Sequence, residues 1–174
     1  TAFNRDNVPA ARLDAGEWII NRRSSDKYNK ELAQINAGTF PKLPGYADGG
    51  RADAKDLLEF VHGRGGHGQS RSLEGAPYVW GGVNWGDCSG AMAAIARFAV
   101  GLAPFAGRFA TGNQRSVLLD LGFKLGRGSD GDLRFGWKNG GPGGGHTSGT
   151  LPDGTNVEMG GGRGNGQIGG NAAP

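Results

Sequence analysis

The chain has 174 residues with a net charge of +3 and no blocked runs of Lys or Arg, which excludes a nucleic-acid-reading stripe. One cysteine, Cys88, excludes an internal disulfide framework and CxxC zinc sites, and no run of 18 apolar residues exists to span a membrane. Gly is counted 36 times, about three times the usual share of about 7%, and clusters at 63–68, 140–145 and 160–170, so a compact core with long glycine loops and a loose tail is expected.

The start, TAFNRDNVPAARLDAG, has no signal-peptide pattern and no Met, and reads as part of a longer chain. Residues 1–50 form a separate extension. A strand is expected over Glu17–Asn21. A helix follows, capped by Ser24 or Ser25, with Tyr28, Leu32 and Ile35 at helical spacing and Gly38 as its stop. FPKLPGYADGG then reads as linker. Residues 51–170 form the main domain, and 171–174 a short tail. Its first helix spans Ala52–His62, with Leu57, Leu58 and Val61 on one face, followed by a glycine loop that holds His67.

GAPYVWGGVNWGDCSGAMAAIARFAV comes next. Asp87 is placed to cap a helix that starts at Cys88 or Ser89 and carries only Arg97 as a charge. A helix apolar all round is buried in the middle of a domain. A free thiol is commonly just a small buried hydrophobe. Here it lies in the first helical turn, where unpaired N–H groups and the macrodipole favour an anion and so a reactive thiolate. The glycines of WGGVNWGD let backbone approach a ligand closely.

GNQRSVLLDLGFKLG predicts a further helix ended by Gly122, with a strand near Phe123–Leu125; LRFGWKNG predicts a strand. GGHTSGTLPDGTNVEMGG is a hairpin. Pro152-Asp153-Gly154 fits a three-residue loop with Gly in the left-handed conformation, so Leu151 faces Thr155 and Ser148 faces Glu158. His146 is then a diagonal neighbour of Glu158 on a face shared with Thr150 and Asn156, and Leu151, Val157 and Met159 pack on the other. The polar face is either a site or a solvent face. From Arg163 onward the chain is expected to be irregular.

A nucleophilic thiol needs a base, and His62, His67 and His146 are the candidates. His62 and His67 belong to a loop that solvation accounts for. His146 sits on the hairpin strand, with Glu158 as orienter and Asn156 as its rival. The Cys88 N–H can help stabilise an oxyanion. Tyr78 either supplies a phenolic donor or packs. Trp80, Asp87 and Ser89 complete the candidate oxyanion and substrate contacts. Neither a cofactor nor a metal is called for; a zinc set of Cys88 with the histidines has ligand spacing only between His62 and His67.

These residues carry a resemblance. YVWGG, then DCSG opening a buried helix, then GHTSGTL with a polar residue twelve positions after the His, resembles the NlpC-type cell-wall cysteine peptidases over about residues 52–170. The resemblance implies a papain-like α+β fold, with the Cys helix packed on a small antiparallel sheet. It also implies cleavage of peptidoglycan stem peptides, often between D-glutamate and a diamino acid. By position, Cys88 is nucleophile, His146 base and Glu158 the third member, and Tyr78 matches a family tyrosine. The run HTSGTL is more polar than the family's usual strand, and Glu is an uncommon third member.

The first fifty residues resemble the stretch before the peptidase domain in tape measure proteins of tailed phages of actinobacteria. That resemblance implies a virion location in the phage tail, action at the host cell wall, other tail proteins as partners, and a possible trimer. The rival expectation is structural: a tail segment whose peptidase fold is kept for packing. An amidase or transferase on the same thiol fold differs only in the bond cut. An intact Cys88–His146 pair on facing elements favours chemistry over the structural reading.

Overall fold

The computed structural model describes residues 26–37, 51–64, 71–141, 144–170 and 172. The expected strand over 17–21, the caps Ser24 and Ser25, Gly38, the linker 40–50 and His67 lie outside the described residues. The chain divides into two compact units, Thr1–Pro41 and Lys42–Pro174. In the first, the expected helix is α1, Asn29–Asn36, with Tyr28 exposed just ahead of it.

The second unit is α+β: among the described residues it has three helices and one four-stranded antiparallel sheet in the order β1-β2-β3-β4. Helix α2, Ala54–Val61, begins at a reciprocal capping box. Asp53 accepts from the Asp56 N–H at 2.8 Å, and Asp56 accepts from the Asp53 N–H at 3.2 Å. Its face buries Leu57, Phe60 and Val61, while Leu58 is half-buried. Helix α3, Cys88–Ala99, is buried along nearly its whole length, as an apolar sequence on every side requires. Phe60 of α2 stacks on Phe98 of α3 with centroids 4.2 Å apart, and the Ala52 N–H donates to the Ala99 carbonyl.

Helix α4, Gln114–Asp120, ends in a Schellman motif. The Phe123 N–H donates to Leu118 O and the Gly122 N–H to Leu119 O, with Gly122 at φ +88°. This corrects the strand expected near Phe123–Leu125. The Phe123 N–H closes the helix, and its ring meets Phe135 edge-on at 5.5 Å.

The strands are β1 Arg134–Asn139, β2 Gly145–Thr150, β3 Asn156–Met159 and β4 Gly166–Ile168. The β2–β3 register is the one the turn predicts: Ser148 opposite Glu158, and Thr150 opposite Asn156. Leu151 donates to Thr155 O, and Gly154 takes φ +88°. Leu151, Val157 and Met159 join the core with Met92 and Ile95 of α3. The helix packs closely on the sheet at Gly149, where a Cβ would stand 3.1 Å from Met92 Sδ.

Strand β4 corrects the irregular tail expected after Arg163. Ile168 pairs with Val157 and Gln167 with Glu158. On its far side Gly166 exchanges backbone hydrogen bonds with Gly75 and Ala76, and a side chain there would overlap the Leu73 carbonyl. Glycine here permits close backbone approach rather than looseness. Among the described residues no helix is long and apolar enough to cross a membrane.

Candidate active site

Cys88 is the first residue of α3, and Asp87 is its N-cap. Asp87 Oδ1 accepts from the Gly90 N–H at 2.9 Å, and Oδ2 accepts from the Gly81 N–H at 2.8 Å. Ser89 Oγ donates to Asp87 Oδ1 at 3.0 Å. Arg108 Nη2 donates to both carboxylate oxygens, at 2.8 and 2.7 Å, and its Nη1 to the Gly82 carbonyl at 3.2 Å. Burial alone would raise the Asp87 carboxyl. The bonds from Arg108, Gly81, Gly90 and Ser89 outweigh it and hold the carboxyl below its usual range. Asp87 and Ser89, expected as oxyanion or substrate contacts, therefore have their side-chain oxygens committed to holding the turn on both sides of Cys88.

The second half of the site comes from the hairpin. His146 lies on β2, beside Lys138 of β1, and Glu158 lies on β3. His146 Nε2 stands 3.3 Å from Glu158 Oε2. The Glu158 side chain is only 4% exposed, whereas His146 remains 40% exposed. The Cys88 thiol is the first influence on the imidazole. It raises the His146 pKa above its ordinary value, burial opposes it, and the Glu158 bond raises it further. Asn156, the rival orienter, is engaged elsewhere: its Oδ1 accepts from Thr150 Oγ1 at 2.9 Å. The polar face of the hairpin is no solvent face, for Ser148, Thr150 and Glu158 are all buried.

Two glycines shape the space around these groups. A methyl group at Gly161 would collide with the Glu158 carboxyl, and one at Gly160 would collide with the Tyr78 ring. Gly160 thereby makes room for the Tyr78 ring. The Tyr78 pKa is raised by burial first, then by negative charge at Cys88 and Asp87, with Arg108 opposing. Behind β2, the fully buried Gln114 donates from Nε2 to Thr147 Oγ1 at 2.9 Å, and Thr147 donates to the Gly136 carbonyl at 3.0 Å. This chain braces the strand one residue from His146.

The loop before Cys88 splits its tryptophans. Trp80 is exposed, while Trp85 is buried and donates from Nε1 to Arg71 O at 3.0 Å. Trp85 holds φ +80° and Asn84 φ +55°. The strain at such non-glycine positions is about 1–3 kcal/mol each, and burial of the Trp85 indole against Phe60 and Phe105 offsets it. Trp85→Ala is expected to cost about 3–5 kcal/mol, read as a lower urea midpoint. A loss below about 1 kcal/mol would show that the indole is not the anchor of this loop. An apolar cleft of about 160 Å³ lies alongside, lined by Val83, Trp85, Pro104, Phe105 and Arg108 among others.

His62 closes α2 as its C-cap. Among the described residues no three His, Cys, Asp or Glu side chains converge as a metal-holding group. Two residues escaped the sequence reading. Arg108 lies 21 positions from Asp87, and Gln114 lies 33 positions from Thr147. Neither has a local motif that would have revealed its partner. Comparison with family models, curated protein sequences and solved structures returns no match.

Proposed function

We propose that this chain is a thiol hydrolase of the NlpC type with a papain-like fold. It cuts stem-peptide amide bonds of bacterial peptidoglycan, with the D-glutamyl–diamino acid bond as first candidate. The observation that carries the reading is the His146–Glu158 pair at 3.3 Å with the Cys88 thiol acting on the same imidazole, assembled from a helix N-terminus and two neighbouring strands. With Nε2 on Glu158, Nδ1 is the ring nitrogen left for the thiol. His146 takes the thiol proton as Sγ attacks the amide carbonyl carbon. It then delivers that proton to the departing amine, leaving a thioester on Cys88. Water, losing a proton to His146, hydrolyses the thioester and restores the thiol. Glu158 keeps the imidazole in one tautomer and orientation and stabilises its charged form. The buried α3 and the Asp87–Arg108 clamp hold the nucleophile rigid.

In the larger setting the chain belongs to a tape measure protein of a tailed phage, where it opens the host wall locally for DNA entry, with other tail proteins as neighbours. The test is incubation of purified actinobacterial peptidoglycan with wild type and Cys88→Ala, and mass spectrometry of the released muropeptides. New stem fragments with wild type alone are expected, and their masses name the bond. No release by a folded wild type would overturn the free-standing enzyme and favour the structural role.

A further inference from the structure

We propose that the segment 108–114 is a strut that holds the two halves of the Cys88–His146 site against each other, with Gln114 and Thr111 as positioning residues for His146. The proposal rests on the thiol–imidazole reading above and adds the residues that set its alignment. One short segment reaches both halves. At its start Arg108 donates to both Asp87 carboxylate oxygens, at 2.8 and 2.7 Å, next to Cys88. At its end Gln114 donates from Nε2 to Thr147 Oγ1 at 2.9 Å, next to His146.

Between these ends the segment is fixed. Phe109 is buried in the core. The Ala110 N–H donates to Asn113 Oδ1 at 2.8 Å, and the Asn113 N–H donates to the Ala110 carbonyl at 3.1 Å, which closes the turn leading into α4. The Thr111 hydroxyl lies 3.1 Å from Asn139 Oδ1 and 3.3 Å from the Gly144 carbonyl, within donating reach of both. Asn139 and Gly145 are the last pair of the β1–β2 ladder. A Cβ at Gly145 would stand 2.8 Å from Thr111 Oγ1, so glycine lets the segment come up against the residue before His146. Strand β2 is therefore gripped two residues before His146 and one residue after it.

The Gln114 amide serves placement rather than stability. The residue is fully buried, and its Oε1 has no hydrogen-bond partner among the described residues. A buried acceptor left unmade costs free energy, and an apolar side chain of the same length would fill the space without that cost. What the amide supplies is direction. Its Nε2 bond fixes Thr147 Oγ1, whose own proton goes to the Gly136 carbonyl at 3.0 Å, so α4, β2 and β1 are tied at one point. Successive strand side chains point to opposite faces, so this grip acts from the face opposite His146 and leaves the imidazole unobstructed. A nucleophile and its base work only within hydrogen-bond reach, so a small shift of β2 against α3 costs rate.

The test needs no peptidoglycan. The probe is iodoacetamide, which reports on Cys88 alone because the chain has one cysteine. The alkylation rate is followed across pH in wild type, His146→Ala, Gln114→Met, Thr147→Val and Thr111→Val, with the urea midpoint of each. At neutral pH wild type is expected to react about tenfold faster than His146→Ala, because the imidazole takes the thiol proton. Gln114→Met and Thr147→Val should each lose most of that advantage and move the pH profile toward that of His146→Ala. Their double variant should lose no more than either alone. Thr111→Val should lose part of the advantage, and Thr147→Ser, which keeps the hydroxyl, should retain it. The urea midpoint of Gln114→Met should not fall. A wild-type rate and profile in Gln114→Met overturns the strut. So does a lowered midpoint with the rate unchanged, which makes Gln114 an ordinary core contact. Equal rates in wild type and His146→Ala overturn the thiol–imidazole pair itself and the strut with it, whereas failure of the Gln114 and Thr147 variants alone leaves the pair standing.

Discussion

Arg108→Ala is expected to lower the unfolding free energy at pH 7 by about 3 kcal/mol, measured by urea unfolding. The Asp87 side chain is 5% exposed and accepts two bonds from Arg108 Nη2. Removing the guanidinium leaves a buried carboxylate with only the Gly81, Gly90 and Ser89 donors. The low end of the range for breaking a buried pair applies, because the Arg108 side chain is 32% exposed and water can partly replace it. The pH dependence follows from the depressed Asp87 carboxyl. A carboxyl lowered in the folded state contributes stability that is present above its unfolded pKa of about 3.9 and is lost as pH falls through the folded value. The gap between wild type and variant should therefore narrow as pH falls below about 4. Asp87→Asn in the Arg108→Ala background should recover part of the loss, since it removes the charge and keeps an acceptor for the cap. A loss at pH 7 under about 1 kcal/mol would show that the pair behaves as an ordinary surface ion pair.

Glu158→Gln should leave the chain folded and lower kcat/KM on released muropeptides by about 10²- to 10⁴-fold, because the imidazole loses its anionic partner. The Glu158 side chain is 4% exposed and meets His146 Nε2 at 3.3 Å, so no solvent carboxylate substitutes for it. The same change should be visible without substrate. His146 is raised above the ordinary imidazole value of about 6.5, first by the Cys88 thiol and then by Glu158. Its NMR titration midpoint should lie above about 6.5 in wild type. It should fall in Glu158→Gln. The stability sign follows. A histidine raised in the folded state contributes stability that is complete below its unfolded pKa and is lost as pH rises through the folded one. Glu158→Gln should therefore weaken the protein more at pH 5.5 than at pH 8.5. An unchanged His146 midpoint in Glu158→Gln would remove Glu158 from the site.

The two halves of the site differed in how visible they were in the sequence. Asp87 before Cys88 states its own role, because a capping carboxylate acts on N–H groups within three residues. The hairpin states its register, because a three-residue loop with Gly154 in the left-handed region fixes which residues face each other. Those two local rules placed His146 near Glu158 before any fold was known. The choice between Glu158 and Asn156 was not local. In the fold Asn156 is engaged by Thr150, while Gly161 leaves room for the Glu158 carboxyl that reaches His146. The glycine-rich end misled for a related reason. Glycine frequency suggests loose chain, but Gly166 is a strand residue because the Leu73 carbonyl passes where a side chain would be.

What the sequence determined by itself is what short-range geometry determines: the cap and start of α3, its burial, the register of β2 on β3, and the end of α4 at Gly122. The tertiary structure alone decided that Arg108 closes on Asp87 from 21 residues away and that β4 completes the sheet. Capping and turn energies act over three or four bonds of the backbone ladder and leave a trace in residue order. Ion pairs and close backbone approaches depend on how buried surfaces pack, and packing is a property of the whole core.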